Sequence, residues 1–177
     1  SETGELDGVR VHLADVPVVG QHHQRLWKVI QQLAQFQLGT AQLLDHPEQL
    51  TKLRENPELW PGAVEEILRI DSPVQMTART ARCDVEIAGQ QLRAGEVVAL
   101  LLGGANRDPN VFSDPDRFDV TRPNARDHLA FGSGIHVCLG AALARIEGAT
   151  ALRALFEAYP DLHLTESLRR NGLVTLH

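Results

Sequence analysis

The 177-residue sequence has little of what marks several common protein classes. It contains two cysteines, Cys83 and Cys138, without CxxC or zinc-finger spacing, so neither a disulfide framework nor a cysteine-rich zinc site is indicated. It has no long run of lysines or arginines, and its formal net charge at pH 7 is −6. This charge argues against binding to nucleic acid or to an anionic membrane surface.

Long apolar runs are also missing. No segment approaches the roughly eighteen apolar residues that a transmembrane helix needs. The first ten residues, SETGELDGVR, lack the basic flank and apolar core of a signal peptide. We therefore expect a cytoplasmic protein without a membrane segment. Its apolar fraction of 43% is sufficient to bury a core, as one domain or as half of a larger fold.

The pattern along the chain predicts a mainly α-helical fold with a small antiparallel β-sheet, an α+β class. Residues 1–20 read as a loop or edge strand around VRVHL, and residues 21–44 have helical periodicity. Pro47 and Pro57 are placed to begin two further helices, the second ending near Ile70. Short alternating segments after Pro73 predict hairpins. Residues 105–128 should form an irregular surface loop, and residues 139–159 a helix.

The segment HLAFGSGIHVCLG, residues 128–140, places a cysteine between glycines just before this last helix. A thiolate is the metal-ligand form of cysteine, and the positive end of a helix dipole stabilises negative charge there. Gly132, Gly134 and Gly140 permit positive φ angles or close approach to a bulky partner such as a flat macrocycle. A lone cysteine is more commonly a small buried hydrophobe, so Cys138 alone leaves both interpretations open.

Four segments together resemble the cytochrome P-450 monooxygenases. Phe131, Gly134, Cys138 and Gly140 stand in the spacing FxxGxxxCxG, which is similar to the haem-binding signature of that family. EEILR is similar to its K-helix ExxR pair, FSDPDRF to its meander, and TARTARCDVEIAGQQLRAGEVV to the sheet after the K helix. The resemblance runs from about residue 45 to residue 164, and it implies the haem-proximal, C-terminal portion of that fold.

The resemblance implies a heme b cofactor whose iron takes the Cys138 thiolate as its proximal ligand, which favours O–O cleavage. Phe131 would pack near the sulfur. Arg79 and His136 match positions that hold haem propionates, a role suited to cationic or N–H donors. The backbone of the cysteine loop would approach the haem at Gly132 and Gly140.

Further residues are expected to support this site. Glu66 and Arg69 lie three residues apart on one helical face, and by resemblance Arg117 of the meander would join them in a structural network behind the cysteine loop. His128 would support the same region, with a capping or core role as the alternative. We do not expect these residues to be catalytic.

The substrate pocket is expected to be lined by Val74, Gln75 and Met76, with core packing as the alternative interpretation. An acidic electron donor such as a ferredoxin would dock on arginines of the proximal surface, although a solvated helix face is an alternative for each of them. These arginines are Arg126, Arg145 and Arg153.

The sequence also departs from the family pattern. It lacks the helices that normally cover the distal side of the haem, so we divide it into residues 1–44, with part of the central helix, and a haem-binding region, residues 45–177. By resemblance, the family's acid–alcohol pair should fall near Ile30, Gln31 and Gln32, where this chain has no acid, Thr or Ser, and an amide cannot act as a general acid. The family's closing hairpin is shortened within residues 168–177.

Three functions follow from these patterns. The first is monooxygenation of a small apolar substrate, with the distal side completed by a partner chain or a second copy of this chain. The second is a haem-binding protein that does not activate oxygen. The third is a non-catalytic remnant or interaction module of the same fold. The retention of Cys138, Arg79 and His136 together favours the first two.

Overall fold

The computed structural model describes residues 35–164. The predictions for the N-terminal edge strand, for Gln31 and Gln32, and for the closing hairpin lie outside these residues. The division at residue 44 also stays a prediction. The α-helices are α1 at 35–45, α2 at Pro47–Glu55, α3 at Trp60–Ile70, α4 at Leu102–Ala105 and α5 at Ala141–Ala158. The strands are β1 at Thr77–Thr80, β2 at Val85–Ile87, β3 at Gln90–Leu92 and β4 at Val97–Leu100.

Local sequence explains where these helices begin. Pro47 is the first residue of α2, and Pro57 opens a 3₁₀ turn, Pro57–Leu59, that leads into α3. Proline is tolerated there because the first N–H groups of a helix have no intrahelical partner. The helix predicted over 139–159 is confirmed as α5, which begins at Ala141 after the N-cap Gly140.

The core lies between α3 and the helices around it. Residues 63–70 of helix α3 are all buried, including the charged ones, and α5 packs against this helix. Trp60 of α3 stacks on Phe156 of α5 with ring centroids 6.2 Å apart. The centre of the core is apolar and fully buried, and it includes Leu43, Leu53, Val64, Ile67 and Leu152. Helix α3 is therefore the element against which the site is built.

The predicted antiparallel strands are confirmed, but in the described residues they form two separate two-stranded sheets. Strand β1 pairs with β4, with Thr77 opposite Leu100, while β2 and β3 form a hairpin of their own. The hairpin turns at Ala88 and Gly89, both with positive φ. In the described residues β2 and β3 pair only with each other, so this hairpin is a separate sheet inserted in the chain between β1 and β4.

The irregular segment is also confirmed, since residues 106–124 contain neither helix nor strand. Phe112, Phe118 and Val120 anchor it because each is almost completely buried. The mainly α fold with small antiparallel sheets is therefore the α+β class expected from the sequence. Among residues 35–164, none of the helices is long and apolar enough to cross a membrane.

Candidate functional site

The cysteine loop connects residue 128 to the start of α5. The N–H of Cys138 donates to the carbonyl oxygen of Phe131 at 2.8 Å, which closes the loop on itself. Gly132 and Gly134 have φ angles of +71° and +66°, which side chains rarely adopt. The loop ends in a 3₁₀ turn, Gly134–His136, and leaves the Cys138 thiol free and exposed two residues before the N-cap of α5.

The loop forms one wall of an open cavity of about 260 Å³. Other walls come from the chain before and within β1, from Leu68 of α3 and from the first turn of α5. The cavity brings together all six residues for which the sequence predicted contact with haem: Arg79, Phe131, Gly132, His136, Cys138 and Gly140.

The chemistry of this lining fits a haem. A cysteine thiol supplies a soft ligand for iron, and apolar side chains such as Leu102 and Leu143 suit the faces of a macrocycle. Arg79 and His136 add donors for carboxylates. Gln35 is 5% exposed and lines the same cavity, and its Nε2 is a buried donor that has no partner within the described chain. An open cavity lined by a thiol, by apolar side chains and by cationic donors fits a bound haem.

Behind the loop, Glu66 and Arg69 of α3 form a completely buried ion pair. Arg69 donates through Nε to Oε2 at 2.7 Å and through Nη2 to Oε1 at 2.9 Å, a bidentate geometry. Its guanidinium also donates to the carbonyl oxygens of Asn106, Pro115 and Arg117. The pair therefore connects α3 to the irregular segment.

The predicted role of Arg117 is wrong, since its side chain does not join this pair. Its guanidinium is 60% exposed and lies 3.5 Å from Asp119. Arg122 takes the place instead, with its Nε 3.1 Å from both carboxylate oxygens of Glu66 and its side chain 7% exposed. The reason is the path of the irregular segment, which brings the backbone carbonyl of Arg117, rather than its side chain, to Arg69 and Arg122.

A second buried carboxylate, Glu65, was missed in the sequence. It accepts hydrogen bonds from Arg145 at 2.7 Å and from His128 at 3.1 Å. Burial raises the pKa of Glu65, but the hydrogen bonds from His128 and Arg145 and the positive charge of Arg145 outweigh burial and hold the pKa below its ordinary value. Two adjacent glutamates in a helix usually indicate a solvated face, so the sequence carried no signal for this burial.

Asn106 was also missed, although it is completely buried. Its Nδ2 donates to the hydroxyl of Ser72, its Oδ1 accepts the N–H of Leu129 at 2.6 Å, and its carbonyl oxygen accepts from Arg69. Asn106 therefore ties the start of the cysteine loop to α3 and to the segment that follows it. Its sequence context, between turn-forming residues, resembles that of an ordinary turn asparagine.

Of the three predicted pocket residues, Val74 lines the cavity, whereas Gln75 and Met76 are not among its lining residues. The amide of Gln75 donates to the carbonyl oxygen of Ser72 at 2.6 Å and lies against Gly103, where a Cβ atom would clash with it. This cavity is the one whose lining fits a haem, so the assignment of these three residues to a substrate pocket stays a prediction.

The three arginines proposed for a docking surface are all engaged in ion pairs. Arg145 and Arg126 lie 2.7 Å and 3.4 Å from Glu65, while Arg153 pairs with Glu157 one turn along α5 at 2.7 Å. Arg126 remains largely exposed, with 73% of its side chain accessible. It is the most exposed positive charge of the three.

Comparisons with known proteins agree with this geometry. The family model described as Cytochrome P450 matches residues 40–165. The chain is 58% identical over 125 residues to the biotin biosynthesis cytochrome P450 of Bacillus subtilis, covering 70% of this chain and 31% of that protein. It is 51% identical over 127 residues to the 6-deoxyerythronolide B hydroxylase of Saccharopolyspora erythraea, covering 72% and 31%.

Solved structures give the same result. The crystal structure of P450BioI in complex with hexadec-9Z-enoic acid ligated acyl carrier protein superposes with a TM-score of 0.77 and 50% identity, covering 81% of this chain and 37% of that one. The described fold is therefore a fragment of the fold of these proteins. This chain spans about a third of the length of the proteins that it matches.

Proposed function

Since this chain belongs to the cytochrome P450 family, we propose that it binds heme b through Cys138 and serves the monooxygenation of a small apolar substrate. Members of this family use haem with a cysteine thiolate ligand. The observation that carries the proposal is the cavity, which is lined by Cys138, with its free thiol, and by Arg79, His136 and Phe131.

Each of these side chains has a distinct role in the proposal. The Cys138 thiolate binds iron, and its position before α5 stabilises the negative charge on sulfur. Arg79 and His136 bind the propionates, and Arg79 is oriented by its bonds to the carbonyl oxygen of Ala78 and the hydroxyl of Thr77. Phe131 excludes water from the sulfur side of the cavity. When bound, haem supplies the redox-active iron that activates dioxygen.

The network behind the loop fixes this arrangement without touching the cavity. Arg69 and Asn106 connect α3, the irregular segment and the N–H of Leu129 at the start of the loop. A loop whose backbone donors are held in this way keeps its cysteine in one place before haem arrives. We therefore expect loss of this network to reduce haem retention.

An apolar substrate is supported by Val74, an apolar residue that the sequence assigned to the substrate pocket and that borders the cavity proposed for the haem. The solved neighbour in complex with a fatty acid ligated acyl carrier protein is consistent with an apolar acyl chain as the substrate class. Electrons would come from a ferredoxin or similar acidic donor at Arg126 and Arg145.

One sequence observation favours a second function, a haem protein that does not activate oxygen. The family's acid–alcohol pair is expected near Ile30, Gln31 and Gln32, and the two amides cannot donate a proton as a general acid. The two functions share Cys138 ligation and differ in oxygen chemistry.

The test is the difference spectrum of the haem-reconstituted, reduced protein with carbon monoxide. A Soret band shifted far to the red, present in C83S and absent in C138S, is expected for a Cys138 thiolate ligand. A band typical of a histidine ligand, or no haem uptake, would contradict the proposal. Substrate-dependent consumption of oxygen then separates the monooxygenase from the second function, and light scattering shows whether the haem-loaded chain is a dimer.

A further inference from the structure

We propose that Glu65 is a positioning residue for the haem ligand: its buried carboxylate holds Arg145 and His128 against the ring of Phe131, whose carbonyl oxygen binds the Cys138 N–H. The inference deepens the proposed function and rests on it for the haem. It gives a role to a residue that contacts neither the cavity nor the cysteine.

The contacts of Glu65 are unusually complete for a glutamate. The residue is 1% exposed. Oε1 accepts from Nε of Arg145 at 2.7 Å and lies 3.4 Å from Nε of Arg126, while Oε2 bonds to Nε2 of His128 at 3.1 Å. Each carboxylate oxygen therefore orients a different side chain, and a buried carboxylate satisfied in this way is rigid.

The geometry at His128 assigns its tautomer. The backbone N–H of Ala130 donates to Nδ1 at 3.1 Å, so Nδ1 carries no proton. Nε2 therefore carries the proton, and this N–H donates a hydrogen bond to the carboxylate of Glu65. His128 is fully buried and connects Glu65 directly to the backbone of the cysteine loop at Ala130.

Both partners of Glu65 contact the same aromatic ring. The guanidinium carbon of Arg145 lies 4.7 Å from the centroid of the Phe131 ring, a cation–π distance. The His128 ring is tilted by 49° to the Phe131 ring, with centroids 5.8 Å apart. The position of the phenyl ring therefore depends on two side chains, and both are fixed by one carboxylate.

Phe131 transmits this position to the cysteine. Its carbonyl oxygen accepts the Cys138 N–H at 2.8 Å, and its ring lines the cavity beside Cys138. Hydrogen bonds and packing around a ligating sulfur determine how strongly it donates to iron. A change at Glu65 should therefore reach Cys138 through Phe131.

The first measurement needs no haem. Fluorinated phenylalanine gives one ¹⁹F signal for each of the five phenylalanines, and a Phe131→Leu variant assigns the signal of Phe131. E65Q and R145K should both shift and broaden that signal. R145K retains a positive charge for Glu65 but lacks the planar group that lies over the ring. E157Q is the matched control, because Glu157 also pairs with an arginine at 2.7 Å but on the exposed face of α5.

The second measurement is haem transfer to apomyoglobin, together with the carbon monoxide spectrum. We expect E65Q and R145K to release haem several-fold faster than wild type and E157Q, and to convert part of the red-shifted band to one typical of a protonated thiol. These comparisons are made under conditions where all variants are folded by circular dichroism. A purely structural role for Glu65 would lower the unfolding midpoint and leave R145K like wild type in both assays.

The outcomes separate this inference from the proposed function. An unchanged Phe131 signal in E65Q and R145K would overturn the positioning role, whatever the haem results. A wild-type chain that binds no haem through thiolate would overturn the proposed function, while the ¹⁹F comparison still decides whether Glu65 positions Phe131. A shifted signal with unchanged haem release would show that the position of Phe131 does not reach the ligand, which also overturns the inference.

Discussion

Replacing Arg122 by alanine should destabilise the fold far more than replacing Arg117. Arg122 contacts both carboxylate oxygens of Glu66 and donates to three backbone carbonyl oxygens, while the Arg117 side chain makes an exposed pair with Asp119. Removing one partner of a buried ion pair costs about 3–5 kcal/mol. Because Glu66 retains Arg69, we expect the lower end, about 3 kcal/mol, for R122A. An exposed pair contributes about 0.2–1 kcal/mol, which sets the expectation for R117A.

Urea denaturation followed by tryptophan fluorescence measures this difference, since Trp60 is buried in the core. With a denaturant slope of about 1–3 kcal/mol per molar, the R122A midpoint should fall by about 1–3 M. The R117A midpoint should stay close to that of wild type. Equal losses for the two variants would refute the assignment of Arg122 to the buried network and favour the arginine expected from the sequence.

Three further perturbations test other parts of the structure. G39A should lower the unfolding free energy by about 1–3 kcal/mol, because its Cβ would lie 2.9 Å from Cδ1 of Leu152. L152A alone should lower the unfolding free energy by about 2–5 kcal/mol. In an L152A background, G39A should lower the unfolding free energy by less than it does in wild type. If the two losses are additive in a double-mutant cycle measured by thermal unfolding, this contact is contradicted. The pKa of Glu65 is lowered in the folded state, so as the pH falls its carboxylate is protonated in the unfolded state at a higher pH than in the folded state. The wild-type free energy of unfolding should therefore decrease as the pH drops below about 4.3. E65Q should weaken this dependence in urea midpoints measured from about pH 6 to pH 3, and an equal slope would contradict it.

The sequence correctly predicted the elements that depend on residues close to one another in the chain. The helices beginning near Pro47 and Pro57 depend on the position of a missing N–H, and α5 depends on a regular apolar period. The cysteine loop could be predicted for the same reason, because its glycines and the helix after it are adjacent in sequence. The five residues of this loop for which the sequence predicted contact with haem therefore lie together at the cavity.

The errors and omissions concern contacts between distant segments. The irregular segment at 106–124 carries three arginines, and which of them reaches Glu66 depends on the path of a chain without repeating structure. The burial of Glu65 depends on α3 being covered on every side, which helical periodicity does not report.

The buried arginines bind the meander through its main chain, and this has a consequence for protein engineering. Arg69 and Arg122 donate to the carbonyl oxygens of Ser113, Asp114, Pro115 and Arg117. Every residue type has a carbonyl group, so this interaction depends on the course of the backbone and not on the identity of the side chains. Residues 113–117 could therefore be exchanged with the corresponding stretch of a relative to make a chimera that keeps its anchoring intact.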